Sequence, residues 1–222
     1  MTTYKKEHLE AFTPREAYEL LVDGNKRFVS NLKINRNLLQ QMNDTAEGQY
    51  PFAVVLSCMD SRTSAELIFD QGLGDIFSIR IAGNIVNDDI LGSMEFATKV
   101  VGSKLIVVLG HTRCGAIKGA CQDVEMDHLT GLLHKIKPVI KKSENYDHVH
   151  AFSTEKVAYA NVLHSMDEIL QKSSIIRQQL GNGEIGIVGG MYSVENGRVH
   201  FIREMFAGHE VEAEAVHNLQ PA

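Results

Sequence analysis

Four short apolar runs, separated by segments with helical patterns, constrain the fold of this 222-residue chain more than any other feature. The runs cover residues 53–56, 76–79, 105–110 and 185–189. Such runs are typical of strands that are buried on both faces of a sheet. The helical segments between them cover about residues 63–69, 88–101 and 115–180. This alternation predicts an α/β fold in which a four-stranded parallel sheet carries helices on both faces.

A fifth strand and an N-terminal helix complete the predicted fold. The Asn196-Gly197 turn precedes residues 198–202, which predicts an antiparallel strand added at the edge of the sheet. Thr13-Pro14-Arg15-Glu16 has the spacing of a capping box, so we expect a helix from about residue 14 to 31. We therefore predict a single domain with an N-terminal helical arm over residues 1–50, an α/β core over 51–203 and a C-terminal tail over 204–222.

Composition and charge exclude several classes of function. The 22 Lys and Arg residues against 28 Asp and Glu give a net charge of −6, and the chain has no clear basic run, which argues against nucleic-acid binding. No stretch approaches the ~18 continuous apolar residues of a membrane span. The polar amino terminus has no apolar signal segment, so we expect a cytoplasmic protein. Three cysteines argue against a disulfide framework and leave metal binding, nucleophilic chemistry or core packing as their uses.

Two segments with side chains that could bind metal or take part in catalysis follow the first and third strands, where open α/β sheets bind ligands. Cys58 comes directly after the first strand, and His111 and Cys114 come directly after the third. Thiolate and imidazole are preferred zinc ligands, and three protein ligands leave a fourth position open, as in catalytic sites. The sequence therefore predicts one Zn²⁺ per chain, which would make a zinc-bound hydroxide available near or above neutral pH. We interpret Cys121, which lies further along the following helix, as a core residue.

A carboxylate and an arginine follow Cys58 on the same loop. Asp60 and Arg62 are two and four residues beyond the cysteine. An arginine at this distance can hold a carboxylate in a bidentate ion pair and keep it off a metal. We predict that Asp60 pairs with Arg62, has a lowered pKa and accepts a hydrogen bond that orients the hydroxide. By themselves these residues would be an ordinary surface turn, and their position beside Cys58 favours the catalytic interpretation.

These two loops resemble the paired signature of the β-class carbonic anhydrases, as Cys58-x-Asp60-x-Arg62 and His111-x-x-Cys114-Gly115. The resemblance extends from about residue 13 to 203 and includes three further segments, at Arg80, Ala82–Asn84 and Ser93–Ala97. It implies zinc-dependent, reversible hydration of CO₂ to bicarbonate and a proton. It also implies a four-stranded parallel sheet with a fifth strand, an N-terminal arm that embraces a partner subunit, and active sites at the dimer interface.

The resemblance also implies roles for individual residues. Gln49 matches a glutamine that donates a hydrogen bond to substrate, and Phe77 and Phe96 match aromatic positions that line the pocket. We assign substrate contact on this basis to Gln49, Phe77, Ala82, Phe96 and Gly115. Without the resemblance, both phenylalanines would be ordinary core residues and Gln49 a solvated loop residue.

Two departures from the family pattern bear on the type of site. Bicarbonate-inhibited members carry Trp three residues before the first cysteine ligand, where this chain has Val55. This difference favours the open, plant-type site, although in some members the residue equivalent to Asp60 becomes a fourth zinc ligand in a closed state. Some plant-type members carry a histidine relay at the position of Val100, so this chain lacks that relay.

Three functions remain open at this point. The first is CO₂ hydration, and the second is hydrolysis of CS₂ or COS at the same zinc site, because hydrolases of these compounds resemble the same family. The third is a redox or zinc-storage protein that uses Cys58 and Cys114 as thiols, which gives Asp60 and Arg62 no role.

The N-terminal helix predicts an oligomer. It precedes the sheet and has no evident partner within it, so we expect its apolar face to pack against a second copy of the chain. The resemblance adds that Gln49 and one of the pocket phenylalanines reach into the partner's active site. We predict a homodimer or a dimer of dimers, with CO₂ and bicarbonate as small-molecule partners and no contact with membrane or nucleic acid.

Overall fold

Six strands form one mixed sheet within residues 3–142 and 151–212, the parts of the chain that the computed structural model describes. They are β1 (Ala53–Ser57), β2 (Ile76–Arg80), β3 (Leu105–His111), β4 (Gly186–Tyr192), β5 (Val199–Phe206) and β6 (His209–Glu212). The order is β2-β1-β3-β4-β5-β6, with parallel pairing from β2 to β4 and antiparallel pairing of β5 and β6. The predicted α/β fold, with a parallel core and an antiparallel edge, is confirmed.

The edge of the sheet is larger than the sequence predicts. β5 continues to Phe206, and β6 adds a second antiparallel strand beyond residue 203, where we predicted only a tail. The turn between them contains Gly208, whose φ of 69° suits glycine. The β6 sequence, His-Glu-Val-Glu, has one apolar residue, so it carries no strand-like apolar run. The end of the predicted tail, residues 213–222, lies outside the described residues.

Helices connect the strands. In chain order they are α1 (Lys6–Ala11), α2 (Pro14–Val29), α3 (Leu38–Asp44), α4 (Ala65–Ile68), α5 (Asp88–Glu95), α6 (Gly115–Cys121), α7 (Asp127–His134), α8 (Lys137–Lys142), α9 (Ala151–Lys172) and α10 (Ser174–Gly181). A 3₁₀ turn lies at Ala82–Asn84, and α5 continues as a π-helical turn at Phe96–Val101. Within the described part of the chain, no helix is long and apolar enough to cross a membrane.

The sheet has an apolar core on each face, because β1, β3 and β4 are buried along their whole length. Alternate residues point to opposite faces: Val54 and Leu56 belong to one core, and Val55 belongs to the other. The first core is closed by α5 to α10. The second core is closed by what we call the N-terminal layer, which comprises α1, α2 and α4.

The N-terminal helix packs on its own sheet, which corrects our expectation that it needs a partner subunit to bury its apolar face. Ala17 and Leu21 of α2 are fully buried in the second core. Asn25 donates hydrogen bonds to the carbonyl oxygens of Ile68 (3.1 Å) and Gly197 (2.9 Å), and its Oδ1 accepts one from the Val199 amide (2.9 Å). The helix is therefore part of one layer of a three-layer domain. Its partner strands are distant in sequence, so helical periodicity alone could not identify them.

An ion-pair network anchors the chain that follows α2. The Asp70 carboxylate, whose side chain is 3% exposed, accepts hydrogen bonds from Arg27 Nε (2.6 Å), Arg36 Nη1 (2.6 Å) and the Ile34 amide (3.2 Å). Arg36 also donates to the Asp70 carbonyl oxygen. Burial raises the pKa of Asp70, but the two guanidinium groups outweigh it and hold this pKa below its usual value.

Candidate metal centre

The carboxyl ends of β1 and β3 bring the three predicted zinc ligands together. The strands are parallel neighbours in which Ser57 is paired with Leu109, so the loops that follow them meet at one edge of the sheet. Cys58, His111 and Cys114 are all buried there, and their ligand atoms lie within 4.8 Å of one another. We call these three residues the Cys-His-Cys cluster. Cys121 is buried in the first core, as the sequence predicts.

The donor set fits a zinc ion. His111 Nδ1 lies 2.9 Å from the carbonyl oxygen of Thr112, and a hydrogen bond there makes Nδ1 the protonated nitrogen. Nε2 is buried and meets no hydrogen-bond partner among residues 3–142 and 151–212. Leaving such an atom unpaired costs about 1–3 kcal/mol. A metal ion bound between this nitrogen and two sulfurs would use its lone pair, so the cluster has the chemistry of a soft-metal site.

The proximity of the two sulfurs favours deprotonation of one thiol to the thiolate, which is the form that binds metal. Cys58 Sγ and Cys114 Sγ are 4.0 Å apart. The Cys114 thiol lowers the pKa of Cys58 by hydrogen bonding to its thiolate, against the opposing effect of burial. The same interaction raises the pKa of Cys114. Cys58 is therefore the more acidic thiol of the pair.

A glycine places a backbone donor on Cys58. The amide of Gly83 donates to Cys58 Sγ at 3.4 Å. Gly83 has a φ of 70°, and a Cβ built there would lie 2.9 Å from Ile136 Cδ1. The left-handed backbone favours glycine here, and a side chain would also displace the end of Ile136. Ala82, which we assigned to the pocket, directly precedes it in the same 3₁₀ turn.

Asp60 and Arg62 form the predicted ion pair. Arg62 donates from Nε to Oδ1 (2.9 Å), from Nη2 to Oδ2 (2.8 Å) and from its backbone amide to Oδ1 (2.9 Å). These hydrogen bonds, chiefly those from the guanidinium, hold the pKa of Asp60 well below its usual value. The carboxylate is therefore ionised and acts only as an acceptor.

Hydrogen bonds from Arg80 and Thr63 fix the backbone of the loop that carries this pair. Arg80, on the neighbouring strand β2, donates to the carbonyl oxygens of Cys58 (3.2 Å) and Asp60 (2.5 Å). The Thr63 hydroxyl lies 2.9 Å from each of the same two carbonyl oxygens and donates its single hydrogen between them. The backbone of the loop is consequently fixed at Cys58 and at Asp60.

The two pocket phenylalanines do not lie at the Cys-His-Cys cluster of their own chain. Phe77 pairs in register with Val54, four residues before Cys58, which corresponds to about 13 Å along the strand. Phe96 lies near Phe77, with ring centroids 6.5 Å apart. Together they line an open groove of about 620 Å³ that also includes Asp88, Asp89, Gly92 and Ser93.

The other two predicted substrate residues lie at opposite ends of the sheet. Gly115 directly follows Cys114 and begins α6, so it borders the cluster. Gln49 is exposed and precedes β1, at the end of that strand opposite to Cys58. The single chain therefore brings Gly115 to the cluster and leaves Gln49 away from it.

Sequence reasoning missed two glutamates that contact the turn between His111 and Cys114. Glu195 accepts from the Thr112 hydroxyl and pairs with Arg113, and Glu155 accepts from the Arg113 amide. The available signal was the position of Glu195 just after β4, at the same end of the parallel sheet as the ligands. Glu155, in the first turns of α9, carries no such signal.

Comparison with known proteins agrees with this geometry. A family model described as carbonic anhydrase matches residues 53–199. Carbonic anhydrase 2 of Mycobacterium tuberculosis is 34% identical over 193 residues, which cover 83% of this chain and 91% of that protein. The carbonic anhydrase of Mycolicibacterium smegmatis is 34% identical over 194 residues, which cover 84% of this chain and 92% of that protein.

Solved structures share the fold. The β-carbonic anhydrase CcaA aligns with a TM-score of 0.67 at 28% identity, covering 83% of this chain and 94% of that one. A structure from a study of two tetrameric β-carbonic anhydrases of Sordaria macrospora aligns with a TM-score of 0.69 at 22% identity, covering 88% of this chain and 99% of that one. The fold and the site define an α/β protein with a buried Cys-His-Cys cluster at the carboxyl edge of its sheet. The chain belongs to the β-class carbonic anhydrase family.

Proposed function

We propose that this protein catalyses the reversible hydration of CO₂ to bicarbonate and a proton at a zinc centre held by Cys58, His111 and Cys114. The observation that carries the proposal is the buried, unpartnered His111 Nε2 beside two buried thiols, among the described residues. When zinc is bound at such a site, it acidifies water so that hydroxide is available near neutral pH.

Asp60 and Arg62 prepare the site for this reaction. Because Arg62 holds both carboxylate oxygens, Asp60 presents fixed acceptors and no proton. An acceptor of this kind orients the nucleophile towards substrate. Within the described residues, the group of ligand atoms that lie within 4.8 Å of one another does not include Asp60. We therefore propose the open, plant-type arrangement for this site, in which Asp60 stays off the metal.

The two alternative functions have less support. The relatives described above are named as carbonic anhydrases, and nothing in those names favours CS₂ or COS hydrolysis. A redox or storage role for the thiols leaves the bidentate Asp60–Arg62 pair without a use.

A two-fold dimer would complete the substrate pocket. β2 is an edge strand in the described sheet, and Phe96, which lines the groove, is 53% exposed and presents apolar surface there. Phe77, Phe96 and Gln49 all lie away from the cluster of their own chain. We propose that they act at the cluster of a second copy, within a dimer or a dimer of dimers.

Metal content and CO₂ hydration measured on one preparation test the proposal. We expect one zinc per chain, and stopped-flow hydration that is lost on chelation and restored by added zinc. A fully zinc-loaded protein without hydration activity would contradict the proposed function. Sedimentation of the same preparation as a monomer with full activity would contradict the shared pocket.

A further inference from the structure

The turn between the second and third zinc ligands is held by a residue far away in sequence. We call Thr112–Arg113 the ligand turn. Glu195, between β4 and β5, contacts both of its residues: the Thr112 hydroxyl donates to Oε2 (2.9 Å), and Arg113 Nε lies 2.7 Å from Oε1. The Ser193 hydroxyl donates to the same Oε2 at 3.0 Å, which fixes the carboxylate on its own side. Glu195 therefore spans the whole turn with its two oxygens.

The hold on Thr112 extends to His111. The Thr112 hydroxyl also accepts a hydrogen bond from the Val194 amide (3.0 Å), so the residue is fixed by two partners on the β4–β5 connection. Its carbonyl oxygen is the partner of His111 Nδ1 at 2.9 Å. An outer hydrogen bond of this type sets the orientation of a ligating imidazole and the nitrogen that it offers to metal. Glu195 thus reaches the ligand through one intermediate residue.

The second residue of the turn needs support because its backbone is strained. Arg113 has a φ of 55°, in the left-handed region that residues other than glycine rarely adopt. Its amide donates to Glu155 Oε1 at 2.7 Å, while its side chain pairs with Glu195. The turn is therefore held at its backbone from α9 and at its side chains from the β4–β5 connection. Strained residues persist where the surrounding structure fixes them in this way.

We propose that Glu195 is a positioning residue for the zinc centre: through Thr112 it fixes the His111 imidazole, and it thereby slows zinc release. The inference rests on the zinc site of the proposed function, but it concerns metal retention and not the hydration reaction. It assigns a role to a residue outside the two signature loops.

Zinc transfer to a chromophoric chelator, measured on the zinc-loaded protein, tests the proposal. We expect Glu195→Ala to release zinc ~10-fold faster, which is the lower end of the effect of outer-shell residues on metal sites. Thr112→Val should do the same, and Thr112→Ser, which keeps the hydroxyl, should restore slow release. The double variant Glu195→Ala/Thr112→Val should accelerate release by less than the product of the two single effects, because both changes remove the same Glu195–Thr112 hydrogen bond.

Glu210 provides a matched control. It pairs with Arg203 at 2.7 Å and its side chain is 49% exposed, against 2.7 Å and 43% for Glu195 with Arg113, but it lies on β6. Glu210→Ala should leave zinc release unchanged. The visible spectrum of the cobalt-substituted protein should shift in Glu195→Ala and Thr112→Val only, because the d–d bands report ligand geometry.

Three outcomes would overturn the proposal: unchanged zinc release in Glu195→Ala, equal acceleration in Glu210→Ala, or no rescue by Thr112→Ser. The assay contains no CO₂. A wild-type protein without hydration activity would therefore refute the proposed function and leave this test intact.

Discussion

The carboxyl end of the sheet and the N-terminal layer differ in how their central buried polar groups are partnered. At the carboxyl end, His111 Nε2 is buried without a hydrogen-bond partner in the described chain, beside the sulfurs of Cys58 and Cys114. In the N-terminal layer, Asn25 uses both its donor and its acceptor atoms, and Asp70 binds two guanidinium groups. These paired groups stabilise the fold, although Arg36 Nε of the same network lies buried without a partner among the described residues. What distinguishes His111 Nε2 is that it lies beside two buried thiols, so that its unused lone pair indicates a ligand.

The largest effect should come from a substitution in the Cys-His-Cys cluster. Cys114→Ser should lose zinc and bring CO₂ hydration down to the uncatalysed rate, because a hydroxyl is a poor substitute for thiolate as a zinc ligand. Metal analysis and stopped-flow hydration on the same sample check this. Cys121→Ser, in the neighbouring core, is the control and should keep its zinc. Stoichiometric zinc at wild-type affinity in Cys114→Ser would remove this residue from the ligand set.

Removing the buried charge of Asp70 should lower the free energy of unfolding and leave zinc in place. Asp70→Asn leaves Arg36, which is 7% exposed, without its buried counter-ion, and we expect a loss of about 3 kcal/mol in the free energy of unfolding. Urea unfolding measures it. The control is Asp23→Asn, in an exposed pair with Lys26, which should cost at most about 0.5 kcal/mol. Equal losses in the two variants would show that burial of the Asp70 network has no special role.

The Asp70 network should also respond to pH. Because the pKa of Asp70 is lower in the folded state than in the unfolded state, its contribution is fully present above the unfolded value of about 4. It is lost as the pH falls through the folded pKa. The difference in unfolding free energy between wild type and Asp70→Asn should therefore be constant from pH 5 to 7 and shrink below pH ~4. A difference that grows towards low pH would contradict the sign of this shift.

The Asp60–Arg62 pair sharpens the comparison, because both carboxylate oxygens are paired although the loop lies beside the Cys-His-Cys cluster. Asp60→Asn should lower kcat for CO₂ hydration by about 10–100-fold while zinc stays bound, since the acceptor that orients the nucleophile is weakened and no ligand is removed. Stopped-flow kinetics with metal analysis separate these two effects. Near wild-type kcat in a zinc-loaded Asp60→Asn protein would show that Asp60 is not catalytic.

The smallest effect should come from the cap of α2. The Thr13 hydroxyl accepts from the Glu16 amide at 3.2 Å, and Thr13→Ala should cost about 1 kcal/mol of stability. Thr13→Ser keeps the hydroxyl and should restore it, as thermal unfolding would show. Zinc content should be the same in both variants. A loss of zinc in Thr13→Ala would mean that the N-terminal layer and the metal centre are coupled more closely than their separate cores imply.

The sequence by itself determined the parallel core of this protein and the set of residues that forms the Cys-His-Cys cluster. Continuous apolar runs define β1, β3 and β4, and the residues directly after β1 and β3 must meet because parallel neighbours end at the same edge. The Asp60–Arg62 pair was equally predictable, since its members are two positions apart on one loop. These features depend on residue type and on short spacings along the chain, both of which can be taken directly from a sequence.

Only the tertiary structure decided which distant residues support that set. Glu195 contacts Thr112 across 83 positions, Glu155 contacts the Arg113 amide across 42, and α2 packs on strands that follow it by more than 20 residues. Strand order and register place these groups together, and neither is encoded in local periodicity. The same register pairs Phe77 of β2 with Val54, four residues before Cys58, and so places it away from the Cys-His-Cys cluster of its own chain.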